Sequence, residues 1–209
     1  MHRGLRVAPV VVATAGLLAA CGGGSTGNSP GPSAASPAST GVQSSAAAST
    51  DSGEAPRIPS PLPTAGLTTD PCSALSASQL NELGIAPRGQ ASSNQAGPNC
   101  KWNGAANPSN TVAIGVLTAN QNGLNDIYAG NSQKKFAYFE TTQVDGYPGV
   151  YADSTDDRAN GFCSLSIGIT DQLAIDVSVV LLTGSNKTHP CDSASAVGKA
   201  AIEHLKGAA

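Results

Sequence analysis

The sequence predicts an α+β domain: an antiparallel sheet of about five or six strands with two or three flanking helices, held by two disulfides. Three observations carry that expectation. Cys163, Leu165, Ile167 and Ile169 alternate with Ser164, Ser166, Gly168 and Thr170, and after Asp171-Gln172 the residues Ile175, Val177, Val179 and Leu181 alternate with Ala174, Asp176, Ser178 and Val180. A sustained period of two on both sides of a short connection is a hairpin with one buried face. Helical patterns stand near both ends of the segment from Asp70 to Ala209, whose 140 residues suit one core.

The chain ahead of that segment has a different character. Arg3 and Arg6 precede an apolar run from Val7 to Ala20, shorter than the roughly 20 residues that span a bilayer and built as a signal peptide. Residues 1–20 are therefore set apart from the fold. Leu18-Ala19-Ala20-Cys21 resembles a bacterial lipobox. The resemblance implies a diacylglyceryl group on the Cys21 thiol, cleavage before Cys21, and acylation of the new amine. Two or three acyl chains anchor a protein firmly where one does so marginally.

Loss of Arg3 and Arg6 with the leader takes the formal charge from −3 to −5, so no basic face is available for nucleic acid. No second apolar stretch is long enough to span a membrane. Residues 21–69 are the lipidated cysteine and a run of Gly, Ser, Ala, Pro and Thr with few aliphatic side chains. Such a composition cannot bury enough apolar surface to offset the entropy of ordering, and reads as a disordered tether with a reach of roughly 40 Å. Its Ser/Thr/Pro density also suits O-glycosylation.

The composition changes at Asp70-Pro71-Cys72, and residues 70–209 read as the single globular domain. Ser76 and Gln79 have capping-box spacing ahead of Leu80, Leu83 and Gly84, giving a short first helix. The Gly, Pro, Ser and Asn residues that follow to Asn99 read as an exposed loop. Cys100 and Trp102 share one face of a strand, and Val112, Ile114 and Val116 one face of the next, after an Asn107-Pro108-Ser109-Asn110 turn. Leu124, Ile127 and Tyr128 fit a helical face interrupted by Gly130, with Lys134 and Lys135 near its end to suit the dipole. Phe136 to Val144 reads as a strand stopping at Asp145-Gly146-Tyr147-Pro148-Gly149, and Val150 to Asp153 as the next. After the hairpin, Asp192 is expected to cap a helix carrying Ala194, Val197, Ala201 and Leu205.

Several of these motifs recur together in one family. Asp70-Pro71-Cys72, the Ser76-to-Leu80 helix start, Cys100-x-Trp102, Val144-Asp145-Gly146-Tyr147-Pro148-Gly149, Cys163-x-Leu165 and Pro190-Cys191-Asp192, in this order behind a lipobox and tether, resemble the mycobacterial LprB-like lipoproteins. This is an actinobacterial family whose domain has no assigned function. The resemblance implies an envelope lipoprotein with an α+β domain and brings no catalytic residues with it.

With Cys21 claimed by lipid, Cys72, Cys100, Cys163 and Cys191 remain, an even set that reads as two disulfides in an exported domain. Their spacings of 28, 63 and 28 residues hold no short knuckle for zinc. Of three pairings, Cys72–Cys191 and Cys100–Cys163 are expected. Cys72 and Cys191 each precede a helix at opposite ends of the domain, while Cys100 and Cys163 each begin a strand with an inward residue two places on. His189 and His204 are the histidines after the leader and no G-x-S-x-G elbow accompanies them; they read as a loop residue and an exposed helical residue. Asp153, Asp156 and Asp157 with Arg158 read as a solvated turn rather than a calcium loop. Trp102 reads as core rather than a stacking platform, and the Asn186-Lys187-Thr188 sequon carries little weight behind a bacterial lipobox.

The sequence thus leads to a non-enzymatic binding or interaction module on the outer face of the cytoplasmic membrane. Its partners are the membrane, through the lipid anchor, and an unidentified envelope protein, cell-wall component or lipid, with no nucleic acid. No catalytic residue, metal ligand or cofactor is assigned, and ligand-binding residues are not identified. A carrier of a lipid or small apolar envelope metabolite, held between sheet and helix, is the second reading, and an envelope hydrolase the third.

Overall fold

The period-two stretches build the centre of the sheet. In the computed structural model, which describes residues 53–208, β6 (Phe162–Thr170) and β7 (Leu173–Val180) pair antiparallel from Phe162 opposite Val180 to Thr170 opposite Leu173. Preceding them are β1 (Gln90–Ser93), β2 (Pro98–Asn103), β3 (Thr111–Val116), β4 (Tyr138–Val144) and β5 (Tyr147–Asp153). All pairings are antiparallel, and the order across the sheet is β1-β2-β3-β7-β6-β5-β4. The sheet is two meanders, β1 to β3 and β4 to β7, joined where β3 pairs with β7.

Among the described residues, seven strands and four α-helices correct the expectation of five or six strands and two or three helices. The additional strand is β1, in the stretch read as loop. All four of its residues are exposed, so it carries no hydrophobic pattern and is held by its main-chain pairing to β2 and by Ser92 Oγ donating to Asn99 Oδ1 at 2.8 Å. The additional helix is α1 (Ala65–Thr69), within the stretch read as tether. Leu62 and Leu67 are 6% and 2% exposed and belong to the core. The Leu62 amide donates to the Ile169 carbonyl at 2.9 Å, and Ser60 accepts from the Tyr147 hydroxyl at 2.7 Å. The packed chain therefore starts ahead of Asp70. The leader 1–20, Cys21 and the tether as far as residue 52 lie outside the described residues.

Helix α4 (Pro190–Gly207) covers the face of Cys100, Trp102, Ile114, Leu165, Ile167, Ile175 and Val177 with Ala194, Val197, Ala201, Ile202 and Leu205. It begins two residues before the expected cap: Pro190 takes the first helical position, and Asp192 is an acid in the first turn, where it complements the helix dipole. The helix runs close to the sheet at Gly198, where an added Cβ would lie 2.6 Å from Ile167 Cδ1. Helix α2 (Ala77–Glu82) has the capping box, with the Ser76 and Gln79 side chains each meeting the other's backbone, and Gln79 Nε2 also donates to the Ala200 carbonyl at 2.7 Å. On the opposite face, Leu124 of α3 (Leu124–Ser132) and Ile58 sit over Gly168. Helix α3 passes through Gly130, whose bare Cα accommodates the Phe136 ring, and ends at Ser132, leaving Lys134 (φ 57°) and Lys135 beyond it. The β4–β5 connection is only Asp145-Gly146, with φ of 50° and 85°, a two-residue hairpin turn. Strand β5 accordingly starts at Tyr147 rather than Val150. No helix among the described residues is long and apolar enough to cross a membrane.

The disulfides are Cys72–Cys100 and Cys163–Cys191, not the nested pairs expected. Cys100 and Cys163 do face one core, but β3 and β7 lie between their strands. Three inter-strand steps separate them by about 14 Å, beyond a disulfide's reach. Cys100 instead meets Cys72 in the Pro71–Ala74 turn of 3-10 helix, and Cys163 meets Cys191 in the first turn of α4.

Candidate functional site

Where α2 ends, the chain crosses to the sheet through an isolated bridge between Ile85 and Gly104. Between this crossing, the β2–β3 loop, the exit of β7 and the first half of α4 lies an open groove of about 440 Å³. Leu83, Val112, Leu181 and Val197 give it apolar walls, while Asn107, Thr183, Asn186 and Ser193 bring amides and hydroxyls. Asn110 fixes its shape. Its Oδ1 accepts from the Leu182 and Thr183 amides at 2.9 and 3.1 Å, and its Nδ2 donates to the Thr183 carbonyl at 3.0 Å. The Cys163–Cys191 bridge fixes the α4 wall by tying its first turn to β6. Among the lining residues Glu82 alone is ionisable. The groove is therefore suited to hold a ligand by shape, apolar contact and neutral hydrogen bonds, and offers no carboxylate pair for acid–base chemistry.

The residues that the sequence singled out are not brought together. His189 precedes α4 and His204 lies in its last turn, about 22 Å apart along the helix. The acids of the β5–β6 loop are engaged locally. Asp156 takes Arg158 Nε and Nη2 at 2.8 and 2.7 Å, Asp157 accepts from Thr155 and Asn160, and Asp153 accepts from Ser154. Arg158 also reaches Glu140 at 2.7 Å and lies 4.1 Å over the Tyr138 ring. Its partners Asp156 and Glu140 hold its pKa above the usual guanidinium value, and the same contact depresses that of Asp156. Among the described residues no group of three or more His, Cys, Asp or Glu is arranged to hold a metal ion. Trp102 is 1% exposed, and its Nε1 lies against Gly89 beside the Cys72–Cys100 sulfurs. It is a core residue, unavailable to a sugar. Asn186 of the sequon lies on the groove wall.

Residues 16–204 match the model of a family described as "Protein of unknown function (DUF3558)". The chain belongs to the DUF3558 family. No curated protein and no solved structure matches it. The matched span of this DUF3558 chain takes in Cys21, both disulfides, all seven strands and most of α4. Sequence reasoning missed Asn110 as the groove's organiser because Asn-Pro-Ser-Asn is an ordinary turn composition. The signal that marks it is an Asn at a strand's entrance with both ends of its amide free to bridge to a distant main chain, and its partners are 72 and 73 residues away.

Proposed function

We propose that this DUF3558 protein is an LprB-like envelope lipoprotein, anchored through Cys21 on the outer face of the cytoplasmic membrane, whose domain binds an envelope protein or cell-wall component without transforming it. Three features support the reading: the Leu18-to-Cys21 lipobox behind a basic and apolar leader, two disulfides that suit an oxidising compartment, and the groove. The groove is the observation that carries the binding role, because it is open, firmly braced and mixed in chemistry, with a single ionisable residue on its wall.

The carrier reading in its first form has less support. The space between sheet and α4 is filled by Trp102, Ile114, Leu165, Ile167, Ile175 and Ile202, none more than 1% exposed. An apolar passenger would have to use the groove instead.

Two experiments test the proposal. Cys21→Ala is expected to abolish acylation and release the protein from the detergent phase; unchanged partitioning and acyl mass would contradict anchoring through Cys21. A photo-crosslinking amino acid at Ala196, on the groove wall, is expected to capture a discrete envelope species that the same group at Ala159, on the β5–β6 loop, does not. Identical products from both positions would remove the groove from the proposal.

A further inference from the structure

The sheet face turned away from α4 carries a second recess. Asp176 stands in the middle of β7 on that face, beside Ala113 and Gly115 of β3 and Ser164 and Ser166 of β6. Its Oδ1 accepts from Ser164 Oγ at 2.8 Å and from Ser166 Oγ at 3.3 Å. On the β3 side, the β1–β2 turn folds over the sheet and is tied there by the Ala119 amide donating to the Ala96 carbonyl at 3.1 Å. This leaves a pocket of about 150 Å³ walled by Asn94, Gly97, Asn99 and Gly115, with Asp176 and Ser178 on its sheet side.

Neither Asp176 Oδ2 nor the Ser178 hydroxyl has a hydrogen-bond partner among the described residues, and none of the four ion pairs there includes Asp176. Asp176 and Ser178 are half-buried on the sheet side of the pocket, with these oxygens still open to it. A carboxylate partly withdrawn from water without a cation is stabilised by a charged donor that reaches it from the pocket. We infer that the Asp176 pocket binds a primary ammonium group on a short alkyl stem.

The chemistry selects this group over other cations. An ammonium has three N–H donors, and Asp176 Oδ2 and Ser178 Oγ are acceptors standing ready. A guanidinium is held best when its fork takes both carboxylate oxygens, whereas Oδ1 already accepts from two serines. A quaternary ammonium is held by aromatic faces, and the pocket has none. A calcium ion takes at least about six oxygen ligands, which one carboxylate and its neighbours do not supply. The volume is below the roughly 300 Å³ of a typical ligand site, so it fits an end group, such as the tip of a lysine side chain or a free amine. Burial raises the pKa of Asp176 above its ordinary value, and an ammonium seated beside it would draw that pKa back down.

The test is a titration of the ¹⁵N-labelled full chain, in detergent, with n-butylammonium chloride, read from amide chemical shifts. Saturable shifts are expected at Gly115, Asp176 and Ser178, with none from tetramethylammonium or n-butanol. Asp176→Asn should raise the apparent Kd by at least about tenfold, since it removes the charge from a partly desolvated pair. Gly115→Val supplies a second variant that leaves Asp176 untouched: the position clears its nearest neighbour, Asn99 Cβ, by 3.7 Å, and the larger side chain should block the pocket. Equal affinity in both variants, or equal shifts with tetramethylammonium, would overturn the site. Nα-acetyl-lysine N-methylamide tells the two sources apart: binding tighter than butylammonium assigns a lysine side chain, and equal or weaker binding assigns a free amine.

Discussion

The two faces of the sheet are made by the same strands and differ in almost everything else. Toward α4, strands β3, β6 and β7 present Val112, Ile114, Val116, Leu165, Ile167, Ile169, Ile175, Val177 and Val179, all in the buried core. Away from α4 the alternate positions are Ala113, Gly115, Ser164, Ser166, Gly168, Asp176 and Ser178. The apolar face is filled, so its residues serve stability; the other is floored by small side chains, covered at Gly168 by Ile58 and Leu124 but recessed beside Gly115, Asp176 and Ser178. Period-two alternation thus separates structure from recognition one residue at a time, and neighbours in the chain should respond oppositely to substitution.

The largest contrast is expected at Trp102 and Lys101. Trp102→Ala empties a fully packed position and should cost about 3 to 5 kcal/mol in denaturant unfolding, whereas exposed Lys101→Ala should stay within about 0.5 kcal/mol. Comparable losses would mean that β2 is not oriented as described. The bridges come next. Each closes a separation of 28 residues, for which the chain-entropy account gives about 3 to 4 kcal/mol. Because the two loops do not overlap, losses from the Cys72→Ala/Cys100→Ala and Cys163→Ala/Cys191→Ala pairs should add. Non-reducing peptide mapping checks the pairing, and a peptide joining Cys72 to Cys191 would refute it. Ser76→Ala removes one half of the α2 capping box and should cost about 1 kcal/mol, measurable as a shift of the unfolding midpoint without a change of slope.

Asp176→Asn sharpens the contrast through a sign rather than a size. Burial raises the Asp176 pKa above its ordinary value of 3.8, so the folded state holds that proton more tightly than the unfolded chain. The resulting stability is complete below the ordinary value and is lost as pH rises through the raised one. Subtracting the Asp176→Asn profile from that of the parent should therefore leave a stability that falls with rising pH over this window. Asp145 and Asp156, whose pKa values are lowered by Lys206 and Arg158, act in the opposite sense and cancel in the subtraction. A flat difference would show that Asp176 is as well solvated folded as unfolded.

What the sequence could reveal follows the same division. The β6–β7 hairpin and its inward face were legible because alternation is a local signal, as was the Ser76–Gln79 capping box, which closes within four residues. Strand β1 was not, because Gln90, Ala91, Ser92 and Ser93 bury nothing and are held by main-chain pairing and one Ser92–Asn99 side-chain hydrogen bond, neither of which leaves a local pattern. Leu62 and Leu67 were masked by the Pro- and Thr-rich composition around them, although two isolated leucines near a domain boundary are the kind of residue that docks a strap. The cysteine pairing failed for a non-local reason: inward orientation is readable from each strand, but the insertion of β3 and β7 between β2 and β6 is a property of strand order. The Asp176 recess was hidden in the same way, since Ser164, Ser166 and Ser178 mean little until register sets them beside one carboxylate.

Leu165 and Ser164 are adjacent residues on opposite faces, and measuring both on both readouts tests the division most directly. Leu165→Ala should lose about 2 to 5 kcal/mol of stability and leave n-butylammonium affinity unchanged in the folded fraction. Ser164→Ala should lose less than about 1.5 kcal/mol and alter that affinity, because it removes the shorter of the two hydroxyl hydrogen bonds to Asp176 Oδ1. Equal stability losses, with butylammonium affinity following Leu165 rather than Ser164, would contradict the assignment of one face to the core and the other to binding.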